Sequence, residues 1–239
     1  GDLDVVRSTT KTRVNPQGFI ETIGINVPSI DYTGGGCPSI LVEPQRTNLA
    51  KESSNLKSTT WQKAQSGVTV ITSSVLSPNG VDFSELLNVI ASSGNVFIRQ
   101  QAYSYTSANT SNSIFIKKFN TRYFAIRNAG PGGLHDVFDF DTETFANRAG
   151  NNLSFESFPN GWYRISSIKT STISNEYISF FPAVNDSGAE NTSTTINVGV
   201  YIWGAQAELA SNVSSHIPSG NAAVTRNQDS NVKVDDLIN

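Results

Sequence analysis

The chain has 239 residues, 37% hydrophobic and 15% charged, with 17 basic against 20 acidic side chains for a net charge of -3. It is long enough to bury a core unaided. With no basic tract and no apolar run near the roughly 18 residues of a membrane span, neither nucleic-acid binding nor membrane insertion is expected. One Cys and two His leave no disulfide framework and no His-rich zinc site, so no cofactor is expected either.

In chain order, Gly1-Asp2-Leu3-Asp4 is polar and acidic, unlike a signal peptide, and the lack of any Met points to a segment of a longer or processed protein. Residues 1–48 read as an N-terminal β-arm broken by turns at Asn15-Pro16-Gln17-Gly18 and Thr33-Gly34-Gly35-Gly36-Cys37-Pro38. The arm has too few apolar residues for a core of its own and should pack on the main domain or on a neighbouring chain. Residues 49–217 carry short runs of period two. Ile114 and Ile116 face away from Phe115 and Lys117, and Phe124 and Ile126 from Tyr123 and Arg127. Phe138 and Phe140 likewise oppose Val137, Asp139 and Asp141, while Tyr163 and Ile165 oppose Trp162 and Arg164. Ile178 and Phe180 oppose Tyr177 and Phe181, and the longest run sets Ile196, Val198, Val200 and Ile202 against Tyr201 and Trp203. A short helix is predicted over Phe83–Ile90. Residues 218–239 form a polar tail leading towards a further domain or an interface. Ser, Thr and Asn make up about a third of the chain, above the globular average, and favour turns and strands over helix interiors. The fold class is all-β: a two-layer antiparallel β-sandwich, a jelly roll, with an extended N-terminal arm.

No Gly-x-Ser-x-Gly elbow is present, and His135 and His216 lack sequence partners for a triad. Cys37 reads as a turn residue, and Gly130-Pro131-Gly132-Gly133 as a plain loop. Asp139, Asp141 and Glu143 cluster in Asp139-Phe140-Asp141-Thr142-Glu143. The first two form a weak calcium candidate or a glycosidase acid pair, against which stands a solvated Asp-Thr-Glu turn, the favoured reading. The aromatic residues opposite the aliphatic faces are the better candidates for binding. Tyr123, Tyr177, Tyr201, Trp162 and Trp203, beside Arg127 and Arg164, have the composition that stacks on a sugar ring and bonds its hydroxyls. Tyr103 and Tyr105 join them from a polar loop. The competing reading covers these aromatics with loops, the arm or a second subunit.

Three landmarks carry a resemblance. Arg7-Ser8-Thr9-Thr10-Lys11-Thr12-Arg13-Val14-Asn15-Pro16-Gln17-Gly18-Phe19-Ile20-Glu21, with Leu41-Val42-Glu43-Pro44-Gln45-Arg46-Thr47-Asn48-Leu49, is the first. Asn160-Gly161-Trp162-Tyr163-Arg164-Ile165 is the second, and Tyr201-Ile202-Trp203-Gly204-Ala205-Gln206-Ala207-Glu208 running on to His216 and Arg226 is the third. They resemble a bacteriophage head-spike and tail-fibre module, and Asp31-Tyr32-Thr33-Gly34-Gly35-Gly36-Cys37-Pro38 looks most like its version in phages and prophages of Bacteroidetes. The resemblance implies a concanavalin-like or carbohydrate-binding-module-like jelly roll on a virion. The expected function is non-catalytic host attachment: multivalent display, as a trimer or other homo-oligomer among other virion proteins, binding bacterial surface polysaccharide. The alternatives are a capsid-decoration or fibre-assembly domain without a sugar site, and a glycan-cleaving enzyme using the acidic cluster.

Overall fold

The computed structural model describes residues 3–64, 67–90, 96–102, 108–129, 134–170, 177–188 and 197–234. The N-terminal segment supplies β1 (Leu3–Val6), β2 (Lys11–Val14), β3 (Ile20–Ile23), β4 (Ile30–Asp31), β5 (Ser39–Ile40) and β6 (Arg46–Asn48). There follow β7 (Gln62–Lys63), β8 (Val68–Leu76), β9 (Phe83–Val89), β10 (Ile98–Gln101), β11 (Thr110–Lys118) and β12 (Tyr123–Ala129). Next come β13 (Asp136–Asp139), β14 (Thr144–Ala146), β15 (Asn152–Phe158), β16 (Trp162–Lys169), β17 (Tyr177–Ala183) and β18 (Val198–Glu208). The chain closes with β19 (Val224–Arg226) and β20 (Ser230–Val234). No helix among the described residues is long and apolar enough to cross a membrane.

Alternation dictates the layering. Ile114 and Ile116 on β11, Ile165 on β16 and Val200 and Ile202 on β18 send one face inward from a front sheet ordered β15-β16-β11-β18-β9-β8. Phe124 and Ile126 on β12, Phe138 on β13 and Ile178 and Phe180 on β17 send theirs inward from a back sheet ordered β14-β13-β12-β17-β10-β7. Each of these side chains is fully buried, and each contributes about 1.5–3 kcal/mol relative to exposure. The two antiparallel sheets form a β-sandwich.

Phe83–Val89 is a strand where the sequence predicts a helix. β9 pairs with β18 on one side and β8 on the other, and Leu87 and Val89 enter the core at period two. Between them and Phe83, Glu85 turns inward and its carboxylate accepts the backbone N–H of Leu56 at 2.6 Å. Two ladders of backbone bonds and a buried face outweigh the local preference of this leucine-containing run.

On β18 the alternation changes phase at Gly204. Val200 and Ile202 point inward, yet so do Ala205 and Ala207, because two residues of β18 lie opposite one of β11 between Ser113 and Phe115. Gly204 takes φ +65°, and a Cβ there would lie 2.9 Å from the Phe115 ring. The bulge needs glycine on both counts.

The arm covers the outer face of the front sheet. β2 and β3 form a hairpin whose Ile20 packs on Phe115, Trp162 and Trp203, and Thr12 Oγ1 donates to the carbonyl of His216 at 2.5 Å. The C-terminal segment belongs with the arm: β20 pairs with β1 and β19 with β6. A buried ionic cluster ties the two together. Asp229 accepts Arg7 at 2.6 Å and Lys11 at 2.7 Å, and Glu43 meets Lys11 at 3.0 Å and Arg226 at 2.7 Å. Burial alone would raise the pKa of both carboxylates, but their cationic and hydrogen-bonding partners outweigh it and hold them below the usual range.

Candidate functional site

The sequence-predicted sugar platform divides between opposite sides of the sandwich. Trp162, Arg164, Tyr201 and Trp203 lie on the front sheet, whereas Tyr123, Arg127 and Tyr177 lie on the back sheet. Trp162 and Trp203 are 2% and 4% exposed, stacked with Phe115 and Ile20 beneath the arm. Their rings face protein, with no surface left for a sugar, and Trp162 Nε1 donates to the Leu76 carbonyl at 3.1 Å. Tyr201 packs edge-on against Phe119 with ring centroids 5.4 Å apart. Arg127 and Arg164 are buried. On the back sheet Tyr123 pairs in register with Ala183, and Tyr177 with Ala129. Six residues of strand therefore separate the two tyrosines, roughly 20 Å. The Arg99 guanidinium lies 4.7 Å over the Tyr177 ring, and that of Arg122 5.0 Å over Tyr123. Tyr103 and Tyr105 lie outside the described residues, as does Gly130-Pro131-Gly132-Gly133.

The acidic cluster is neutralised by cations. Arg122 grips Asp139 with Nε at 2.9 Å and Nη2 at 2.7 Å, and Lys118 pairs with Asp141. The hydrogen bonds from Arg122 hold the Asp139 carboxyl down at about 2, the opposite of a catalytic acid. Glu143 accepts the Tyr163 hydroxyl at 2.8 Å. Among the described residues no three His, Cys, Asp or Glu side chains are grouped to hold a metal ion. Asp139 and Asp141 are thus paired with basic neighbours, which occupy the carboxylate oxygens that a calcium ion would take. His135 and His216 are both buried and pushed down to about 3, by burial first and then by Arg127 and Arg164 respectively. Both imidazoles are neutral at pH 7.

A cleft lies elsewhere, where the arm meets the β15 edge of the front sheet. It encloses about 620 Å³ between three walls. One is the β2–β3 turn with Pro16, Gln17 and Gly18, another the loop Thr33–Gly36 after Tyr32, and the third the end of β15 from Glu156 to Pro159. Each wall is fixed by local chemistry. Asn15 Oδ1 accepts the backbone N–H groups of Gln17 and Phe19, both at 3.0 Å. Asp31 accepts Val14 N at 2.8 Å and Thr33 N at 3.0 Å, locking the glycine loop to the hairpin. Gly18 has φ +83°, and a Cβ on it would stand 2.5 Å from Pro159 Cγ, so the turn seats directly on the end of β15.

Tyr32 and Phe158 supply half-buried aromatic walls, and Gln17, Thr33, Glu156 and Ser157 are exposed beside them. Among the described residues β15 pairs only with β16, which leaves its other edge without a strand partner. A cleft with aromatic faces and neutral polar groups can stack on a sugar and bond its hydroxyls. Sequence reasoning placed Gln17 and Thr33 in turns and gave Phe158 no role. Tyr32 beside three glycines was the available signal, but only the fold brings it next to Phe158.

No known protein family matches the chain, and no curated protein is significantly similar to it. Among solved structures it is similar to the enzymatically active domain of tailspike protein 4 from bacteriophage CBA120, with 16% identity and a TM-score of 0.41 over 68% of this chain and 21% of that one. It is also similar to the CBM22-1–GH10 modules of endo-1,4-β-D-xylanase 10B from Clostridium thermocellum, complexed with xylohexaose, with 12% identity and a TM-score of 0.41. That likeness covers 74% of this chain and 30% of the other, so the chain spans less than a third of either relative.

Proposed function

We propose that the chain is a non-catalytic glycan-binding module carried on the surface of a phage particle, where several copies together attach to bacterial surface polysaccharide. The groove between Tyr32 and Phe158 carries this reading: it encloses about 620 Å³, its walls are pre-formed, and its lining suits a sugar chain. The landmark residues that resemble phage spike and fibre modules supply the setting. A non-catalytic role is supported by the acidic cluster, whose members are occupied by Arg122, Lys118 and Tyr163. Weak single sites gain strength when presented together, because effective concentration raises avidity without new contacts.

The test is retention of the purified chain on immobilised bacterial surface polysaccharide. Tyr32→Ala with Phe158→Ala should lower binding at least tenfold while leaving the urea unfolding midpoint within the range of ordinary surface changes. Undiminished binding by the double variant, or no binding by the wild-type chain presented as a multimer, would sink the proposal. A second reading, an assembly domain, draws on one observation: Val6, Ile25, Ile40 and Val42 leave aliphatic side chains exposed on the arm. Sedimentation equilibrium of Ile40→Ser with Val42→Ser addresses it, since an assembly surface there would lose its oligomer.

A further inference from the structure

The groove between the arm and β15 is charged on one side only. Among the described residues that line it, Glu156 has the one charged side chain, and no Lys, Arg or His stands beside it. Glu156 and Phe158 are two residues apart on β15, so both side chains leave the same face of the strand, whereas Phe155 packs on the core. The Glu156 side chain is exposed and makes no hydrogen bond or ion pair with any described residue. Arg164 stands opposite it across the β15–β16 ladder. That guanidinium is buried, donates to Ser113 Oγ at 3.1 Å, and meets the charges of Glu208 and Glu43 as well as that of Glu156. Asp31, next to Tyr32, adds a second carboxylate that is buried and bonded to the backbone N–H groups of Val14 and Thr33 rather than to a cation. Asp31, Glu43 and Glu156 all line the smaller cavity that adjoins the groove. Glu43 is balanced there by Lys11 and Arg226, while Arg13 is already paired with Glu21. The excess charge facing the groove is therefore negative.

We infer that the groove selects a sugar unit bearing a free amino group, whose ammonium pairs with Glu156 beside the Tyr32 and Phe158 rings; this rests on the glycan-binding reading above. Neutral hydroxyls would be served by Gln17, Thr33 and Ser157 without any charge in the wall. An ammonium is all donor and no acceptor. Glu156 accepts from it, the neutral polar groups take its remaining N–H bonds, and the aromatic faces attract it through their quadrupoles. A sugar acid would set carboxylate against carboxylate. An N-acetylated unit keeps the ring but loses the charge. Because Glu156 is open to water, the preference is several-fold rather than orders of magnitude.

The experiment titrates the full chain with bacterial surface polysaccharides containing free amino sugars, each beside the same polymer after its amines have been N-acetylated. The amine form should bind about threefold or more tightly. Glu156→Gln should abolish that preference, and Glu156→Asp should keep part of it. Asp4→Asn, which removes an exposed acid outside the groove, should leave it intact. Salt at about 0.5 M should shrink the preference of the wild-type chain, since an exposed pair is screened. As a readout that needs no variant, the side-chain carboxyl ¹³C shift of Glu156 should move with the amine form only. Equal binding of both forms overturns the amine assignment while leaving the glycan groove standing, and failure of either form to bind overturns both. A preference that survives Glu156→Gln, or one that Asp4→Asn removes equally well, also overturns the assignment.

Discussion

Replacing Asp229 by alanine tests whether the arm is held by its buried charges. The Asp229 carboxylate receives Arg7 at 2.6 Å, Lys11 at 2.7 Å and the backbone N–H of Glu43 at 3.0 Å, and its side chain is 2% exposed. Removing it leaves Lys11 and Arg226 sharing Glu43, and Arg7 without an acidic partner in the cluster, all at buried positions. Arg7 keeps the carbonyls of Thr9, Gly24 and Val27 on Nε and Nη2, but its Nη1 loses its partner and its charge its counter-ion. Breaking a buried pair from one side costs about 3–5 kcal/mol, against a total stability of about 5–15 kcal/mol for a typical domain. Asp229→Asn keeps the shape and one acceptor and should cost less than alanine. Urea unfolding followed by tryptophan fluorescence measures this directly, because Trp162 and Trp203 lie beneath the arm and Trp61 lies in the sandwich core. A loss below about 1 kcal/mol, the range of an exposed pair, would refute the reasoning.

Acidification should weaken the fold through the two histidines. Their folded pKa of about 3 lies below the unfolded value near 6.5, so the unfolded chain binds more protons as pH falls through that window. At pH 5 each costs about 2 kcal/mol, offset in part by Glu85 and Asp136, whose burial raises their pKa so that protonation favours the fold. Urea midpoints at pH 7 and pH 5 should differ, His216→Phe should remove at least half of the difference, and a flat profile would contradict the argument. Gly204→Ala places a side chain at φ +65° against Phe115 and should cost about 1–3 kcal/mol in equilibrium unfolding. Trp162→Ala empties the space under the arm and removes the bond to Leu76, for a loss of about 3–5 kcal/mol. Calorimetry that finds Trp162→Ala as stable as wild type would mean the arm does not rest on that ring.

The sandwich was legible because its core strands obey period two. Ile114 and Ile116, Phe124 and Ile126, and Ile178 and Phe180 all point inward as their alternation requires. Phe83–Val89 was misleading because Leu86-Leu87 favours helix locally, and only the partners on β8 and β18 decide the matter. The site was less legible for a related reason. Alternation separates the two faces of a strand but does not say what covers the outer one. Trp162 and Trp203 met the requirement for a sugar platform in type and spacing, yet Ile20, more than 140 residues earlier in sequence, lies on them. Tyr32 and Phe158 were invisible as a pair because they join through a contact between a turn of the arm and the end of β15. Such proximity leaves no periodic trace.

The landmark residues acquire a physical meaning from this arrangement. Phe115, Trp162 and Trp203 would form an exposed apolar patch if the sandwich stood alone, so the front sheet needs a cover. Apolar contact is non-directional, and a hairpin held by Ile20 alone could settle in several registers. The cluster of Arg7, Lys11, Glu43, Arg226 and Asp229 removes that freedom, because a shift of one residue would leave a buried charge without its partner. The same seating sets the turn at Gly18 against Pro159 and brings Tyr32 across from Phe158. The charged landmarks line none of the groove and still define it, since the register they impose on the arm sets its two walls against the end of β15.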